Sequence, residues 1–511
     1  MASMEEFYRN GSVLISGFTG FLGKVVVEKL IRSVPSLKTI YVLARPYRGL
    51  DATQRLKLIL ECQIFDHIRH SCPDRLSKVV AIPADLSLED LGLSNEDKQL
   101  LINDVSVIFH CAATVKFDEA LRLSVEMNVL GTQRMLKLAH SCLNLKAFVH
   151  ASTAYANCDR RHILESIYPA PVPPQNILDC LSWMNDDTLD LLTGRLLATR
   201  PNTYTLTKSL AETVLEQESG DLPVIIVRPS IIGASWREPL PGWVDNINAA
   251  TGLFLAVGKG LLRSMNGNLA LTADLIPVDV VSNLFIASAW YIALERSSTI
   301  PVVNCCSGRL NPVTWKTVVS SLHKNYQNYP VNQAVRVISP TFTTNKLWRD
   351  LNVFFDHFIP AYLVDLIAKL LGKKTRMTKL NSKLFKAVET LEYFTMREWD
   401  FQSNAILEIW DRMSPEDQKT FPFDIRTLNW DNYLETYCLG TKKFILKEDL
   451  SDIPKARKKY SRLVLYSSLV QFLVYFSLFY LLMRRSKRLQ HLVFYAAGGV
   501  AKMLPRAVKV N

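Results

Sequence analysis

The sequence predicts an α/β fold in which a parallel β-sheet is covered by helices on both faces. Over residues 11–310, short runs rich in β-branched and aromatic residues alternate with longer helix-like stretches. Strands that alternate with helices in this way form parallel sheets, because each crossover helix returns the chain to the same edge. The predicted strands share this apolar, β-rich character and are Ser12–Ser16, Thr39–Arg45, Val79–Ala84, Val105–Cys111, Ala147–Ala151, Val224–Arg228 and Val302–Cys306.

A change of composition divides the 511-residue chain into further parts. We predict an α/β domain over residues 1–340. Over residues 350–450 aromatic and basic residues mix without a strong strand pattern, which predicts a smaller, mainly helical domain. Within it, Phe358–Leu371 is expected to be an apolar helix. A core helix is the default expectation for it, and a helix lying on a membrane is the alternative.

A long uncharged segment near the C-terminus predicts a transmembrane helix. Residues 463–483 are 21 residues without a charge, and at about 1.5 Å per residue a helix of this length spans roughly 30 Å, the hydrocarbon core of a bilayer. The basic tail 484–511 contains a second, shorter apolar stretch at 491–504, which we interpret as interfacial or re-entrant. Both flanks of the main span are basic, so the charges favour neither orientation.

The charge balance restricts the classes of partner. A net charge of +12 suits anionic partners such as nucleic acid, acidic lipid headgroups or phosphorylated cofactors. Much of the excess flanks the apolar span, and no zinc-finger spacing or aromatic–basic interleaving favours nucleic acid. Nine cysteines without Cys-x-x-Cys spacing are typical of a reducing compartment, and no metal-ligand cluster is visible in the sequence.

The turn after the first predicted strand carries a motif of three glycines. Gly17, Gly20 and Gly23 follow an apolar run and open a helix-like stretch. Such a turn lets backbone N–H groups approach a pyrophosphate, and the helix dipole favours its negative charge. We therefore predict a doubly wound, NAD(P)-binding Rossmann sheet, with a cofactor cradle formed by Gly17, Thr19, Gly20, Phe21, Leu22 and Gly23.

Two positions after later strands indicate which dinucleotide is bound. The second predicted strand ends at Arg45, where an NAD site would place an acidic residue for the ribose 2′-hydroxyl. A guanidinium there can bind a 2′-phosphate with two hydrogen bonds, so NADPH is favoured over NADH. Asp85 follows the third predicted strand, where it could accept from the adenine amino group or cap a helix.

The end of the fourth predicted strand and the next helix add two further cofactor candidates. Small residues around Ala112 allow the chain to pass close to a flat cofactor. Asn128 lies in a predicted helix and is assigned to the cofactor site, with a surface amide as the alternative. His110 is expected to be packed rather than to donate protons.

A tyrosine and a lysine four residues apart provide the most specific chemical signal. Tyr204 and Lys208 lie on one face of a predicted helix. An ammonium beside the phenol is expected to lower its pKa and to hold the nicotinamide ribose. The phenol could then donate a proton to a carbonyl oxygen as hydride reaches the carbon. Ser152 and Thr153 follow the fifth predicted strand, and either hydroxyl could bind the same oxygen.

The order of these motifs resembles the extended short-chain dehydrogenase/reductase family. In the segments 152–157, 228–233 and 238–246, and in the helical region after residue 350, the chain is similar to the fatty acyl-CoA reductases within it. The resemblance implies that Tyr204 and Lys208 are catalytic, with Ser152 or Thr153 as the partner hydroxyl. It also implies that the nicotinamide side is lined by Pro229, Ser230 and Ile231.

The resemblance implies reduction of a long-chain acyl-CoA to a primary alcohol by two NADPH, through a hemithioacetal and an aldehyde. It implies a single-pass anchor in the endoplasmic reticulum or peroxisome membrane, with the catalytic domain in the cytosol. Acyl preference, aldehyde release and the oligomeric state, a homo-oligomer included, are left open. Two alternatives remain: a membrane-bound dehydrogenase for steroids or nucleotide sugars, and a non-catalytic NADP-sensing membrane protein.

Overall fold

The protein is described by a computed structural model that covers residues 3–486 apart from 296 and 298. The tail beyond residue 486, including the apolar stretch predicted at 491–504, lies outside the described residues. The strands are β1 Ser12–Ser16, β2 Thr39–Ala44, β3 Val79–Pro83, β4 Val105–His110, β5 Ala147–Ala151, β6 His162–Ile163, β7 Val224–Pro229, β8 Ile231–Gly233, β9 Ser264–Asn266, β10 Leu275–Pro277, β11 Val302–Cys305, β12 Thr341–Thr343 and β13 Asp400–Phe401.

Seven of these strands form one parallel sheet in the order β11-β7-β5-β4-β1-β2-β3. They correspond to the seven strands predicted from the sequence, each within one residue at either end. The chain first builds outward from β1 to β3 and then returns to β4 and builds the other way. The predicted doubly wound parallel sheet is thereby confirmed, with the reversal of strand order between β1 and β4.

Every residue of β1, β4, β5, β7 and β11 is buried. Parallel strands covered by helices on both faces are apolar on both sides, which explains why these segments are continuous apolar runs in the sequence. The register places Val13 of β1 between Ile40 of β2 and Val107 of β4. The sheet and its covering helices thus form the main hydrophobic core.

The α-helices begin and end as follows: α1 Met4–Tyr8, α2 Phe21–Ser33, α3 Ala52–Leu60, α4 Asp66–Ser71, α5 Asn95–Asp104, α6 Leu121–Val125, α7 Gly131–Ser141, α8 Pro174–Trp183, α9 Asp186–Leu196, α10 Thr203–Glu218, α11 Ala249–Gly258, α12 Val278–Leu294, α13 Trp315–Asn328, α14 Lys346–Val353, α15 Ile359–Leu370, α16 Met377–Thr395, α17 Ala405–Arg412, α18 Pro415–Thr420, α19 Trp430–Gly440 and α20 Ile453–Arg485. A π-helical turn, Phe354–Phe358, joins α14 to α15.

The C-terminal helical region packs closely against the α/β part. The hydroxyl of Tyr433 on α19 donates to the carbonyl of Ala234, 2.9 Å away. A Cβ added at Gly440 of α19 would lie 1.9 Å from the carbonyl oxygen of Gly242, so the two backbones touch where both residues are glycine. Short parallel strand pairs, β9 with β12 and β6 with β13, also join the two parts.

Helix α15 corrects the expectation of a core helix. Only Ala361 and Asp365 of this helix are buried. Its large apolar side chains are exposed; Leu370, for example, is 78% exposed. The sequence predicted the helix but not its surroundings, since an apolar run is compatible with either burial or an exposed interface.

Helix α20 starts ten residues before the apolar span predicted at 463–483. Its first two turns are docked on the protein: Ala456 and Tyr460 are buried, and the Tyr460 hydroxyl accepts from the backbone N–H of Ile338 at 3.1 Å. The apolar part beyond Leu463 is largely exposed. Two described helical segments, Lys346–Leu370 and Leu450–Arg485, are long and apolar enough to cross a membrane.

Candidate active site

A cavity of about 1410 Å³ lies at the carboxyl ends of the sheet strands, beside the reversal of strand order. Ligands of doubly wound sheets bind at this place, because the strand-to-helix loops diverge there. The glycine turn, the ends of β4, β5 and β7, helix α10 and helix α16 all contribute to its lining. One cavity therefore brings together residues from both parts of the chain.

The glycine turn has the close packing that a dinucleotide cradle needs. Gly17 has a φ of +75°, and a Cβ there would lie 2.6 Å from the backbone nitrogen of Ala112. A Cβ on Gly23 would lie 2.4 Å from the carbonyl oxygen of Gly17. Gly20 is the N-cap of α2, whose first turn has N–H groups without partners inside the helix. All six residues predicted for the cradle line the cavity, and the turn fits a pyrophosphate.

Beside the end of β2 the cavity is lined by two arginines, one of which the sequence reasoning did not identify. Arg45 lines the cavity as expected, and so does Arg55 of α3, whose guanidinium donates to the carbonyl of Arg45. The signal for Arg55 is the Asp51–Gln54 capping box, which starts α3 directly beside the strand end. Asp85 also lines the cavity, with its carboxylate accepting from the N–H of Ser87 at 3.0 Å.

Tyr204 and Thr153 meet at the base of the cavity. Tyr204 is in the first turn of α10, which Asn202 caps by accepting from the N–H of Thr205 at 2.9 Å. Burial raises the pKa of Tyr204 to about 12, and a hydrogen bond from Thr153 opposes this shift. The phenol therefore carries its proton at neutral pH. Phe117 stacks on its ring with centroids 5.9 Å apart.

Lys208 lies one helical turn further along α10 and is also buried. Its ammonium donates to the carbonyl of Ala151 at the end of β5, with an Nζ–O distance of 2.6 Å. Burial lowers the pKa of Lys208 to about 8. The expectation that Lys208 lowers the pKa of Tyr204 is not met in this structure, because burial raises the pKa of the phenol and the Lys208 ammonium donates to the carbonyl of Ala151 instead.

Ser152 points away from Tyr204 and into a buried ion pair. Its hydroxyl donates to the carboxylate of Glu212, which also accepts from the Arg228 guanidinium at 2.8 and 2.7 Å. Sequence reasoning did not identify Glu212, although its place one turn after Lys208 on α10 was a usable signal. The group connects α10 to the ends of β5 and β7.

Two of the residues considered earlier lie behind the cavity rather than in its lining. Asn128 is buried and holds the loop after β4: its side chain accepts from the N–H of Thr114 at 2.8 Å and donates to Thr207 at 2.9 Å. His110 contacts Ser16 at 2.7 Å, and burial lowers its pKa to about 3. Both side chains support the cavity from within the core.

The remaining predicted positions line the cavity. Ala112 lies against the glycine turn, and the segment after β7 contributes Pro229, Ser230 and Ile231. The opposite wall is α16, whose cavity-lining residues include Leu384, Ala387 and Leu391.

The doubly wound sheet, the glycine turn at its reversal point and the Tyr204–Lys208 pair above it define the class of the protein. It is a nicotinamide-dependent oxidoreductase of the short-chain dehydrogenase/reductase type.

Family models described as "Male sterility protein" match residues 15–285 and 356–448. The chain is 45% identical over 463 residues to fatty acyl-CoA reductase 1 of Gallus gallus, covering 91% of this chain and 90% of the relative. It is 42% identical over 504 residues to fatty acyl-CoA reductase 2 of Bos taurus, covering 99% and 98%. The chain belongs to the fatty acyl-CoA reductase family.

Solved structures resemble the fold at low sequence identity. The terminal R domain from the myxalamid PKS-NRPS biosynthetic pathway has a TM-score of 0.57 and 17% identity, covering 85% of this chain and 90% of that one. The reductase domain of a nonribosomal peptide synthetase from Mycobacterium tuberculosis has a TM-score of 0.56 and 18% identity, covering 85% and 92%. These likenesses support the fold.

Proposed function

We propose that the protein reduces long-chain acyl-CoA to the primary alcohol with two molecules of NADPH. The observation that carries this proposal is the cavity itself. Thr153, Tyr204 and Lys208 line it together with the glycine turn and the apolar residues of helix α16. A thioester carbonyl could lie at Tyr204 while its alkyl chain follows the apolar wall.

The preference for NADPH is supported by the two arginines beside the end of β2. Arg45 and Arg55 both line the cavity, and each carries the planar cation that pairs with a phosphate. Replacing both arginines by alanine is expected to weaken NADPH binding and leave NADH binding nearly unchanged. Equal losses for the two cofactors would contradict the assignment of the 2′-phosphate to these residues.

In the first reduction, Gly17, Gly20 and Gly23 would hold the dinucleotide, whose nicotinamide would supply the hydride for the thioester carbon. Thr153 and the protonated phenol of Tyr204 hydrogen-bond the carbonyl oxygen and stabilise its developing negative charge. Proton transfer from Tyr204 gives a hemithioacetal. Its C–S bond then breaks while its hydroxyl loses a proton to form the aldehyde carbonyl, and CoA leaves as the thiolate, which takes up one proton, so that this step consumes no net proton.

In the second reduction, a second hydride adds to the aldehyde carbon and Tyr204 donates a proton to the oxygen. Each cycle thus consumes two hydrides and two protons and yields one alcohol and one CoA thiol. Lys208 would hold the nicotinamide ribose in both rounds. We assign the oxyanion hydroxyl to Thr153 rather than Ser152, because the Thr153 hydroxyl lies close enough to Tyr204 to lower the pKa of its phenol, whereas the Ser152 hydroxyl donates to Glu212.

We further propose that the apolar part of α20 anchors the enzyme in the endoplasmic reticulum or peroxisome membrane, with the cavity in the cytosol. The apolar residues beyond Leu463 whose burial is described are largely exposed, as required of a surface that meets lipid. An anchor suits this chemistry, because the alkyl chain of the substrate and the alcohol product both partition into the bilayer.

The test is a coupled assay on purified protein with palmitoyl- or stearoyl-CoA and NADPH. Free CoA thiol is expected to appear with two NADPH oxidised per thiol. Tyr204→Phe is expected to bind NADPH normally and to lose turnover by a factor of about 10² to 10⁴. No thiol release over a range of acyl lengths, or full activity of Tyr204→Phe, would overturn the proposal.

A further inference from the structure

Helices α14 and α15 and the turns beside them carry an exposed apolar surface that the proposed chemistry does not use. Its twelve large side chains are each 49–78% exposed, whereas the apolar surfaces of soluble proteins are usually scattered or small. We call this surface the apolar face; it consists of Leu347, Trp348, Leu351, Phe354, Phe355, Tyr362, Leu363, Val364, Leu366, Ile367, Leu370 and Leu371.

The apolar face is held in a fixed place on the protein. The carboxylate of Asp365 accepts from the backbone N–H groups of Arg376, Met377 and Thr378 at 2.9–3.0 Å, which fixes the turn between α15 and α16. Asp356 pairs with Arg263 at 3.4 Å. These contacts hold the helix along the surface of the protein.

A row of cations borders the apolar face. Residues 366–388 contain seven lysines and arginines and no aspartate or glutamate. All seven side chains are exposed. Those that border the apolar face are Lys369, Lys373, Lys374, Arg376 and Lys379, whereas Lys383 and Lys386 line the cavity and Lys386 pairs with Asp118 at 3.5 Å. An apolar helix face beside a row of lysines is typical of a helix that lies in the interface of an anionic bilayer.

Helix α16 separates the apolar face from the cavity. On one side, Phe385 packs on Phe358 with ring centroids 5.8 Å apart, and Asn381 donates to the carbonyl of His357 at 2.8 Å. On the other side, Leu380 and Leu384 line the cavity. A surface that covers the apolar face would therefore lie one helix away from the proposed acyl site.

The same part of the protein holds the start of α20. Ile338 donates its N–H to Tyr460 of α20, and two residues earlier Arg336 donates to the carbonyl of Asp356 beside the apolar face. Residues 336–338 thus contact α20 at one end and the backbone beside the apolar face at the other.

We propose that the apolar face docks into the surface of an anionic lipid bilayer, as a second membrane contact besides α20. The apolar side chains enter the headgroup and acyl boundary, and the lysines pair with lipid phosphates and carboxylates. This docking directs the α16 side of the cavity towards the membrane, so that an acyl chain passes between lipid and cavity along α16. The last step rests on the proposed function; the docking itself does not.

The test uses the full chain reconstituted in vesicles of phosphatidylcholine with about one-quarter phosphatidylserine. The photoreactive residue p-benzoylphenylalanine replaces Leu363 or Leu370 on the apolar face. The matched control places it at Leu143, which is 71% exposed but precedes β5 at the opposite end of the sheet from the cavity. On irradiation we expect lipid adducts at positions 363 and 370 and few at 143.

Lipid adducts no more frequent at 363 and 370 than at 143 would overturn the proposal. So would a cross-link from these positions to a second copy of the chain, which would assign the apolar face to self-association. Because α20 is intact in all variants, the comparison reports on the apolar face alone.

A charge variant tests the anionic partner. The double substitution K373E and K374E is expected to reduce lipid adducts at position 370 roughly fivefold or more, because two cations that would pair with anionic lipid become anions that are repelled by it. The control K146E and K324E reverses two exposed lysines elsewhere and should leave the adducts unchanged. Equal adducts in both variants, or in vesicles without phosphatidylserine, would contradict the electrostatic part of the proposal.

An activity measurement separates the two proposals. If the variants with the photoreactive residue at 363 or 370 form lipid adducts but the wild-type protein reduces no acyl-CoA, the docking proposal stands and the proposed function fails. If the enzyme is active and L363E with L370E reduces vesicle-bound stearoyl-CoA more slowly but soluble octanoyl-CoA normally, delivery of the chain from the membrane is supported. Equal losses on both substrates would contradict that delivery.

Discussion

At the residue scale, two adjacent hydroxyls of the candidate site have different surroundings. Ser152 and Thr153 follow β5, where successive side chains point to opposite sides. The hydroxyl of Ser152 consequently donates to buried Glu212, and that of Thr153 reaches Tyr204. The motif alone could not distinguish them, because a change of one residue in register exchanges their surroundings.

Substitution of each hydroxyl should therefore affect a different property. Thr153→Val is expected to lower kcat/KM for acyl-CoA by a factor of about 10² to 10³, the usual cost of losing one oxyanion donor. Ser152→Ala is expected to keep most activity but to lose about 1–3 kcal/mol of stability, because Glu212 loses a buried donor. Steady-state kinetics and thermal unfolding check both; a larger loss of kcat/KM in Ser152→Ala would reverse the assignment.

The buried ammonium of Lys208 predicts how cofactor affinity depends on pH. Its pKa is lowered to about 8 by burial, and ribose hydroxyls that accept from the ammonium favour its charged form. Binding then raises this pKa, so NADPH affinity should be constant below about pH 8 and fall as the pH rises above it. Fluorescence titrations of NADPH between pH 6 and pH 10, values chosen to bracket that pKa, should show this decline. In Lys208→Met the affinity should be weaker and independent of pH; a decline like that of wild type would assign it to another group.

At the element scale, the strand-to-helix turn shows why glycine is required at defined places. The Cβ of an alanine at position 23 would lie 2.4 Å from the carbonyl oxygen of Gly17, a backbone atom that cannot move away cheaply. At Gly194, an exposed position in α9, no atom lies within 4 Å of such a Cβ. Alanine substitutions at these two glycines can therefore be compared, one as the test and the other as its control.

Gly23→Ala is expected to weaken NADPH binding by tenfold or more, because the turn must open to admit the methyl group. Gly194→Ala should leave binding unchanged and stabilise the protein by up to about 1 kcal/mol, the helix propensity difference between the two residues. Titration of NADPH and thermal unfolding measure both quantities. Normal binding by Gly23→Ala would show that the turn does not form the cradle.

Some elements were predictable and others were not, for physical reasons. Five of the seven strands of the sheet, β1, β4, β5, β7 and β11, are buried on both faces, so the requirement for apolar residues is visible in the sequence itself. Strands such as β12 and β13 are two or three residues long and exist because a distant segment pairs with them. Helix α15 has the apolar composition of a core helix. Its exposure could not be predicted, because it depends on whether a distant element of the chain packs on its outer face.

At the scale of the whole molecule, the C-terminal helix is both part of the folded protein and a candidate anchor. Arg457 of α20 donates to the carbonyl of Asn328 at 2.6 Å, and Lys459 donates to that of Asn332 at 2.7 Å. With the burial of Tyr460, these contacts orient α20 as it leaves the protein. A helix docked in this way sets the distance and angle between the cavity and a membrane.

Two tyrosines of α20 test whether the start of the helix is docked on the protein while its apolar part is exposed. Tyr460→Ala is expected to destabilise the protein by about 3 kcal/mol, as do other aromatic-to-alanine changes in a core. Tyr466→Ala, on the same helix but 62% exposed, should change stability by no more than about 0.5 kcal/mol. Thermal unfolding in detergent compares them. Similar losses for both would show that the docked part extends further along α20.

The sequence by itself determined the sheet, the glycine turn, the Tyr204–Lys208 pair and the apolar C-terminal helix. Each depends on residues close together in the chain, and local spacing is what a sequence displays. Only the tertiary structure decided that Thr153 rather than Ser152 meets Tyr204, that Arg55 joins Arg45, and that α15 is exposed beside a basic row. These outcomes depend on which distant elements pack together, and a side chain's environment is created by that packing.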